Sequence, residues 1–318
     1  MKRLFENSKV RSGLLLLLAC LLLAHGAGCR AQGSASETGA AAERLRVVCT
    51  TQMVADLARN VGGDRVQVES LMGEGVDPHL YKASTRDVLK LFRADVILYS
   101  GLHLEGKMTE IFERLSQRRA VYAVTEAIPP ERLRQLGPQQ VDPHVWFDVE
   151  LWSLAVEAVA EAFARHAPQH AAEFAARAGA YRAELARLDR WCEEQIATIH
   201  PGRRVLVTAH DAFFYFGDAY GLEVRAIQGI STDSEAGVRD IEDLVSFLVE
   251  RRIKAVFVES SVSHRNVQAL LEGCRARGHR LAIGGELYSD AMGPAGTPEG
   301  TYVGMVRHNV QTIVRALR

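Results

Sequence analysis

From residue 45 onward, short apolar runs rich in β-branched residues alternate with amphipathic stretches. LRVVCTT (45–51), VQVESLM (66–72), ADVILYS (94–100) and AVYAVTE (120–126) read as strands, and the intervals around 52–61, 84–93 and 105–117 read as helices. Strands separated by helices imply parallel βαβ units, with the sheet covered on both faces. WFDVELWSLAVEAVAEAFARHA then runs into a further helix near 150–166.

Pro168 breaks the pattern and marks a new helix start. Beyond it, Phe174, Ala178, Tyr181, Leu185, Leu188, Cys192, Ile196 and Ile199 follow one another in steps of three or four. That is a helical stripe. About 30 residues of helix span about 45 Å at 1.5 Å per residue, more than one lobe needs. Pro201-Gly202 ends the stretch. A second series follows, with strands at 203–209, 222–229, 254–260 and 280–286 and helices at 235–252, 263–277 and 300–317. The predicted architecture is α/β: two βα lobes with parallel sheets, at 45–167 and 201–318, joined by one long helix at 168–200.

The 318 residues, 47% hydrophobic, suit two lobes better than one core. The net charge of −1 offers no basic excess for nucleic acid. Residues 1–28 read as a signal peptide: Lys2, Arg3, Lys9 and Arg11 precede the apolar stretch GLLLLLACLLLAHGAG (13–28). Small residues before Cys29 have the form of a lipidation site, with Leu17-Leu18-Ala19-Cys20 as the competing match and simple cleavage as the third reading. Residues 29–44 then form an Ala/Gly/Ser-rich tether. Residues 1–28 hold four cations and one acid, so the remainder carries −4, a balance that suits a cation binder. Cys49, Cys192 and Cys274 are odd in number and lack CxxC spacing, which argues for buried thiols rather than disulfides or a cysteine-rich zinc site.

Chemistry enters with a repeated triplet. DPHLY (77–81) returns as DPHVW (142–146). Each triplet places an imidazole beside a proline in a loop of lobe one. His210 directly follows the apolar run VLVTA, and Asp290 lies just beyond the last strand of lobe two. In parallel sheets the C-terminal ends of strands face the ligand crevice. Three imidazoles and one carboxylate, two from each lobe, make a divalent transition-metal site. The competing reading is two independent Asp-capped turns. Of the other histidines, His25 is in the signal, and His166, His170, His200, His264, His279 and His308 sit on or near helix ends, where solvated or capping roles are usual.

DPHLY, DPHVWFDV, LVTAHDAFFYF, FVESSVSHRNV and IGGELYSDAMGPAGTPEGTYVGMVRHN together resemble the metal-binding receptor lipoproteins of bacterial ABC importers, the cluster A-I group with TroA-, PsaA- and ZnuA-type members. The resemblance runs from about Arg46 to the C-terminus. It implies His79, His144, His210 and Asp290 as the four ligands of a TroA-type site, with Zn2+ or Mn2+ as cargo and Fe2+ as a third option. It also implies an extracytoplasmic, lipid-anchored monomer that serves a permease and an ATPase through small lobe motions. Manganese-specialised members usually carry Glu at the third ligand, where this chain has His210. The His-rich loop of ZnuA-type receptors is missing, since only His103 lies between His79 and His144. Three imidazoles favour zinc over manganese by intrinsic affinity.

Two other readings remain. A secreted metal-dependent hydrolase needs an open coordination position and a general base, for which Glu259 and Glu286 are available. An adhesin or metal buffer needs no transporter. Glu259 and Glu286 also suit supporting roles, and Asp77 and Asp142, each two residues before a ligand, suit shaping the loops or orienting the imidazoles.

Overall fold

The computed structural model describes residues 44–138 and 140–318. The signal segment, Cys20, Cys29 and nearly all of the tether therefore lie outside the described residues. Lobe one opens with β1 (Leu45–Cys49), α1 (Gln52–Gly62), β2 (Val66–Ser70), α2 (Thr85–Arg93), β3 (Val96–Tyr99), α3 (Thr109–Ser116) and β4 (Ala120–Ala123). The strands form one parallel sheet in the order β2-β1-β3-β4. The chain leaves β1 in opposite directions toward β2 and β3, so the crevice of an open α/β sheet falls at their C-terminal ends. There the buried Glu105 carboxylate accepts from Thr50 Oγ1 at 2.6 Å and from the Ser100 and Gly101 amides at 2.7 and 3.2 Å, tying the two strand ends together. Burial raises its pKa against the pull of those donors.

A short antiparallel hairpin, β5 (Gln135–Gly137) with β6 (Gln140–Val141), precedes the second DPH triplet. The hydrophobic pattern did not signal it, because so short and polar a pair has no alternation to read. Then come α4 (Val149–Trp152) and α5 (Ala155–His166), and after a single 3-10 turn the long helix α6 (Ala171–Ala197). Its 27 residues span about 40 Å. All eight residues of the apolar stripe are buried, from Phe174 to Ile199. They meet α1 and α5 of lobe one and α10 (Tyr302–Leu317) of lobe two.

Lobe two contains β7 (Val205–His210), α7 (Phe214–Tyr220), β8 (Glu223–Gln228), α8 (Val238–Glu250), β9 (Ala255–Glu259), α9 (Arg265–Ala276) and β10 (Ala282–Leu287), and closes with α10. The strands pair in parallel as β7 with β8 and β9 with β10, and β7 lies against β9. α7 begins at the end of LVTAHDAFFYF (206–216), a stretch whose aromatic density hides helical periodicity. One apolar core joins Val47 and Leu98 of lobe one, Leu185 and Leu188 of α6, and Leu206, Phe257 and Ile313 of lobe two. Two smaller cores lie on the outer faces of the lobes. Cys49, Cys192 and Cys274 are buried free thiols. No helix among the described residues is long and apolar enough to cross a membrane.

Candidate metal centre

Both DPH triplets are Asp-capped turns, and both turns present an imidazole. The Asp77 carboxylate accepts from the His79 amide at 2.8 Å, and that of Asp142 accepts from the His144 amide at 3.0 Å. This is the local turn that aspartate makes two residues ahead, with proline fixing φ between. His210 ends the fully buried strand β7, and Asp290 follows β10 by three residues.

The four side chains converge, each offering one ligand atom within 4.8 Å of all the others. His79 Nε2 lies 3.2 Å from His144 Nε2 and 3.7 Å from Asp290 Oδ2. His144 Nε2 is 3.5 Å from Asp290 Oδ1, and His210 Nε2 is 3.2 Å from Asp290 Oδ2. Tetrahedral zinc with ligands near 2.0–2.1 Å requires ligand separations of about 3.4 Å. All four residues are buried, none more than 6% exposed.

The orientation of two rings follows from their other nitrogens. His144 Nδ1 is 2.7 Å from Asp142 Oδ1, and His210 Nδ1 is 2.5 Å from Glu259 Oε2. Each carboxylate accepts the hydrogen bond from Nδ1–H, which leaves the Nε2 lone pair aimed inward, as in metal-ligating histidines. Glu259 Oε1 also accepts from the Ala209 and His210 amides at 2.7 and 2.9 Å, so this carboxylate is held on three sides. Inside the shell, His210 Nε2 and both Asp290 oxygens are buried without a hydrogen-bond partner among the described residues. Buried acceptors facing one another without donors are costly, and a cation between them removes that cost.

Acting on one another alone, the groups behave as a proton-competing site. Burial pulls the His144 imidazole down, but Asp142 and Asp290 outweigh it and carry it to about 9. His210 is likewise pulled down by burial, yet Glu259 and Asp290 raise it well above the usual range. Burial, with the charges of His144 and His210, lowers His79 to about 4 against the opposing pull of Asp290. Asp290, despite burial, is held well below the usual carboxylate range by His210 and His144.

Of the supporting residues expected from sequence, Asp142 and Glu259 each orient a ring, whereas Asp77 holds the His79 backbone. Glu286 is exposed on its strand and stands outside the cluster. His166, His170, His279 and His308 bond locally to Tyr122, Glu173, the Ile253 carbonyl and the Glu286 carbonyl. His103 is exposed and lines a cleft of about 400 Å3 that also reaches His79, together with Lys107 and Asp233. A surface cavity of about 690 Å3 lies on lobe one and touches none of the four converging residues.

Contacts that sequence reading missed cross between the lobes. Trp146 Nε1 donates to the Ser289 carbonyl at 3.1 Å, next to Asp290, and Tyr302 Oη donates to the Trp146 carbonyl at 2.6 Å. Gln52 bonds both the Met292 amide and the Gly293 carbonyl. At the mouth, Thr232 Oγ1 donates to Asp77 Oδ2, and Lys107 Nζ lies 3.0 Å from Asp233 Oδ2. Partners 126 to 241 residues apart leave no local signal for these pairs.

Residues 47–316 match the family described as zinc-uptake complex component A, periplasmic. The chain is 51% identical to the manganese-binding lipoprotein MntA of Bacillus subtilis over 305 residues, covering 95% of this chain and 99% of that one. It is also 51% identical to the zinc-binding protein TroA of Treponema pallidum over 282 residues, covering 89% and 92%. The solved periplasmic zinc-binding TroA structure superposes with a TM-score of 0.85, covering 86% of this chain and 99% of its own.

Proposed function

Because the chain belongs to the periplasmic zinc-uptake component A family, we propose that it is an extracytoplasmic receptor that captures Zn2+ or Mn2+ and delivers it to an ABC importer. The observation that carries this reading is the convergence of His79, His144, His210 and Asp290, with His210 Nε2 and both Asp290 oxygens buried and without a hydrogen-bond partner among the described residues. Those four residues are the proposed ligands. Four protein ligands complete a tetrahedral shell, which suits holding a cargo ion more than activating a bound water. The relatives, named as metal-binding proteins and lipoproteins, support carriage over hydrolysis. Glu259, a possible base in the hydrolase reading, is occupied by His210 and two amides.

The partners in this reading are a membrane permease and a cytoplasmic ATPase, and the receptor acts as a monomer. Its parts are a signal peptide at 1–28, a tether at 29–44 lipidated at Cys29, lobes at 45–167 and 201–318, and a linking helix at 168–200. The single core that runs through α6 supports small lobe shifts and local rearrangement at the mouth rather than wide opening.

Elemental analysis of the purified chain, followed by zinc–manganese competition, tests the proposal. One tight equivalent is expected, lost or greatly weakened in His79→Ala and Asp290→Ala while both variants keep the native circular dichroism. Unchanged stoichiometry and affinity in both variants would remove these residues from the site.

A further inference from the structure

The N-terminal edge of the lobe-one sheet carries a concentration of positive charge that the metal site does not use. Register sets it up. Val47 pairs with Val96 and Val96 with Ala120, so the residues one step earlier, Arg46, Asp95 and Arg119, stand in a row across β1, β3 and β4. Arg46 and Asp95 form a two-pronged ion pair, and Arg119 adds its field to the same carboxylate. Arg44, Arg93 and Arg118 flank the row and are exposed. Neither Arg93 nor Arg118 has a carboxylate within ion-pair distance among the described residues. Along β1, β3 and β4 five arginines thus accompany one aspartate, while at the start of β2 Arg65 and Arg177 are balanced by Glu173 and Asp64. The described chain totals −3: residues 1–43 hold five of the 38 cations and three of the 39 acids.

The adjoining helix adds apolar surface. α2 ends at Arg93, and Leu89 and Phe92 on its outer side are 51% and 50% exposed, with Arg86 one turn before Leu89. Exposed apolar side chains among arginines on a helix face suit an anionic bilayer surface, where the rings enter the headgroup layer and the cations meet phosphate. The opposite pole, at the strand C-termini of both lobes, is different. There Glu74, Glu286 and Glu299 surround Tyr288, while Asp233 in the cleft that reaches His79 is paired with Lys107. The molecule therefore has a cationic base and an acidic mouth.

The preceding chain enters at the base. The described residues begin at Arg44, one residue before β1. The fourteen residues between Cys29 and Arg44 reach at most about 50 Å when extended. An anchor at Cys29 thus holds the cationic base within reach of a membrane.

We propose that the Arg93/Arg118/Arg119 edge and the Leu89/Phe92 face of α2 form a docking surface for anionic phospholipid headgroups, which rests the receptor on the bilayer with its metal cleft turned away. Docking leaves the mouth of the cleft facing incoming metal, and delivery to a permease requires release from the lipid.

The test uses zinc-loaded residues 29–318 and sedimentation with vesicles of phosphatidylcholine alone or with roughly 30% phosphatidylglycerol at low salt. Binding is expected only with the anionic lipid. Arg93→Glu/Arg118→Glu should lower it by about tenfold or more, and Arg239→Glu/Arg265→Glu, an equal charge change near the starts of α8 and α9, by less than about threefold. The indole introduced by Phe92→Trp should shift its emission to the blue on anionic vesicles and not on neutral ones. Zinc stoichiometry and melting temperature check that each variant is folded. Equal losses in the two charge variants would mean attraction by net charge alone and overturn the proposal. No vesicle binding, or an unshifted emission from the Phe92→Trp variant, would do the same. Impaired uptake through a reconstituted permease with unchanged lipid binding would assign this surface to a protein partner instead.

Discussion

His210 Nδ1 and Glu259 Oε2 lie 2.5 Å apart, both fully buried, at the ends of the adjacent strands β7 and β9. The pair fixes the ring, and Glu259 is fixed in turn by two strand amides. Glu259→Gln keeps the size and removes the charge. It offers one acceptor oxygen where the carboxylate serves three donors with two. Zinc affinity is expected to fall about 10–100-fold with the fold retained. Titration against a chelator of known affinity, with circular dichroism as the control, measures it; an unchanged affinity would deny Glu259 its orienting role.

Protonation should oppose metal and stabilise the metal-free protein in the same pH range. His144 is raised from 6.5 to about 9 by Asp142 and Asp290 against burial, so its stabilising contribution is fully present below about pH 6.5 and is lost as pH rises through 9. His210 shifts in the same direction. His79, lowered to about 4, contributes above pH 6.5 and costs stability as pH falls through 4. The metal-free protein should therefore melt highest near pH 6–7 and lower toward pH 9. Metal requires neutral rings, so the gain in melting temperature on adding zinc should widen across the same interval. Melting curves with zinc and with chelator from pH 5 to pH 9 test this, and a constant gain across the series would contradict it.

His210→Glu exchanges an imidazole for a carboxylate and should move selectivity toward manganese by about tenfold relative to zinc. It also sets a second carboxylate against Glu259 in a buried site, which should lower affinity for both metals and lower stability. Adding Glu259→Gln relieves that repulsion. Recovery of stability in the double variant, with the manganese shift kept, is the expected result of a double-mutant cycle with competition titrations. A zinc-to-manganese ratio equal to that of the parent would refute the assignment of His210 as a ligand that sets selectivity.

Thr232 and Asp77 bridge the lobes across the mouth, and Asp77 also holds the His79 turn. Thr232→Val keeps the shape and deletes the donor. Loss of one such bond costs roughly 1 kcal/mol, or about fivefold in an equilibrium. That loss should appear as faster zinc release into excess chelator, with little change in association. Stopped-flow release rates read it directly, and equal rates would place the opening elsewhere.

The sequence conveyed most where chemistry is local. β-branched runs gave the strands, and the 174–199 stripe gave the long helix because each of its positions faces the same core. The DPH triplets were legible because Asp, Pro and His each act within three residues. Thr232, Gln52 and Ser289 were not legible. Their roles come from partners in the other lobe, and nothing in LYSDAMG or GISTDS states what lies across a cleft. The β5–β6 hairpin was missed for a related reason, since pairing in so short a segment is settled by packing rather than by period.

The stripe on α6 also decides how the lobes communicate. Leu185 is fully buried at the middle of the helix, in the core shared by both lobes. Leu185→Ala should cost about 2–5 kcal/mol, the range for a leucine whose cavity cannot collapse. Because the core is continuous, the loss should fall on both sheets. Urea melts by circular dichroism should show one transition moved to lower denaturant, and hydrogen exchange should accelerate in β1 and β3 as much as in β7 and β9. Zinc affinity at low temperature should stay within about threefold, since Leu185 belongs to the apolar core and not to the four converging residues. Exchange that quickens in one lobe alone would show that the lobes are separate cooperative units and that α6 links them without coupling their stability.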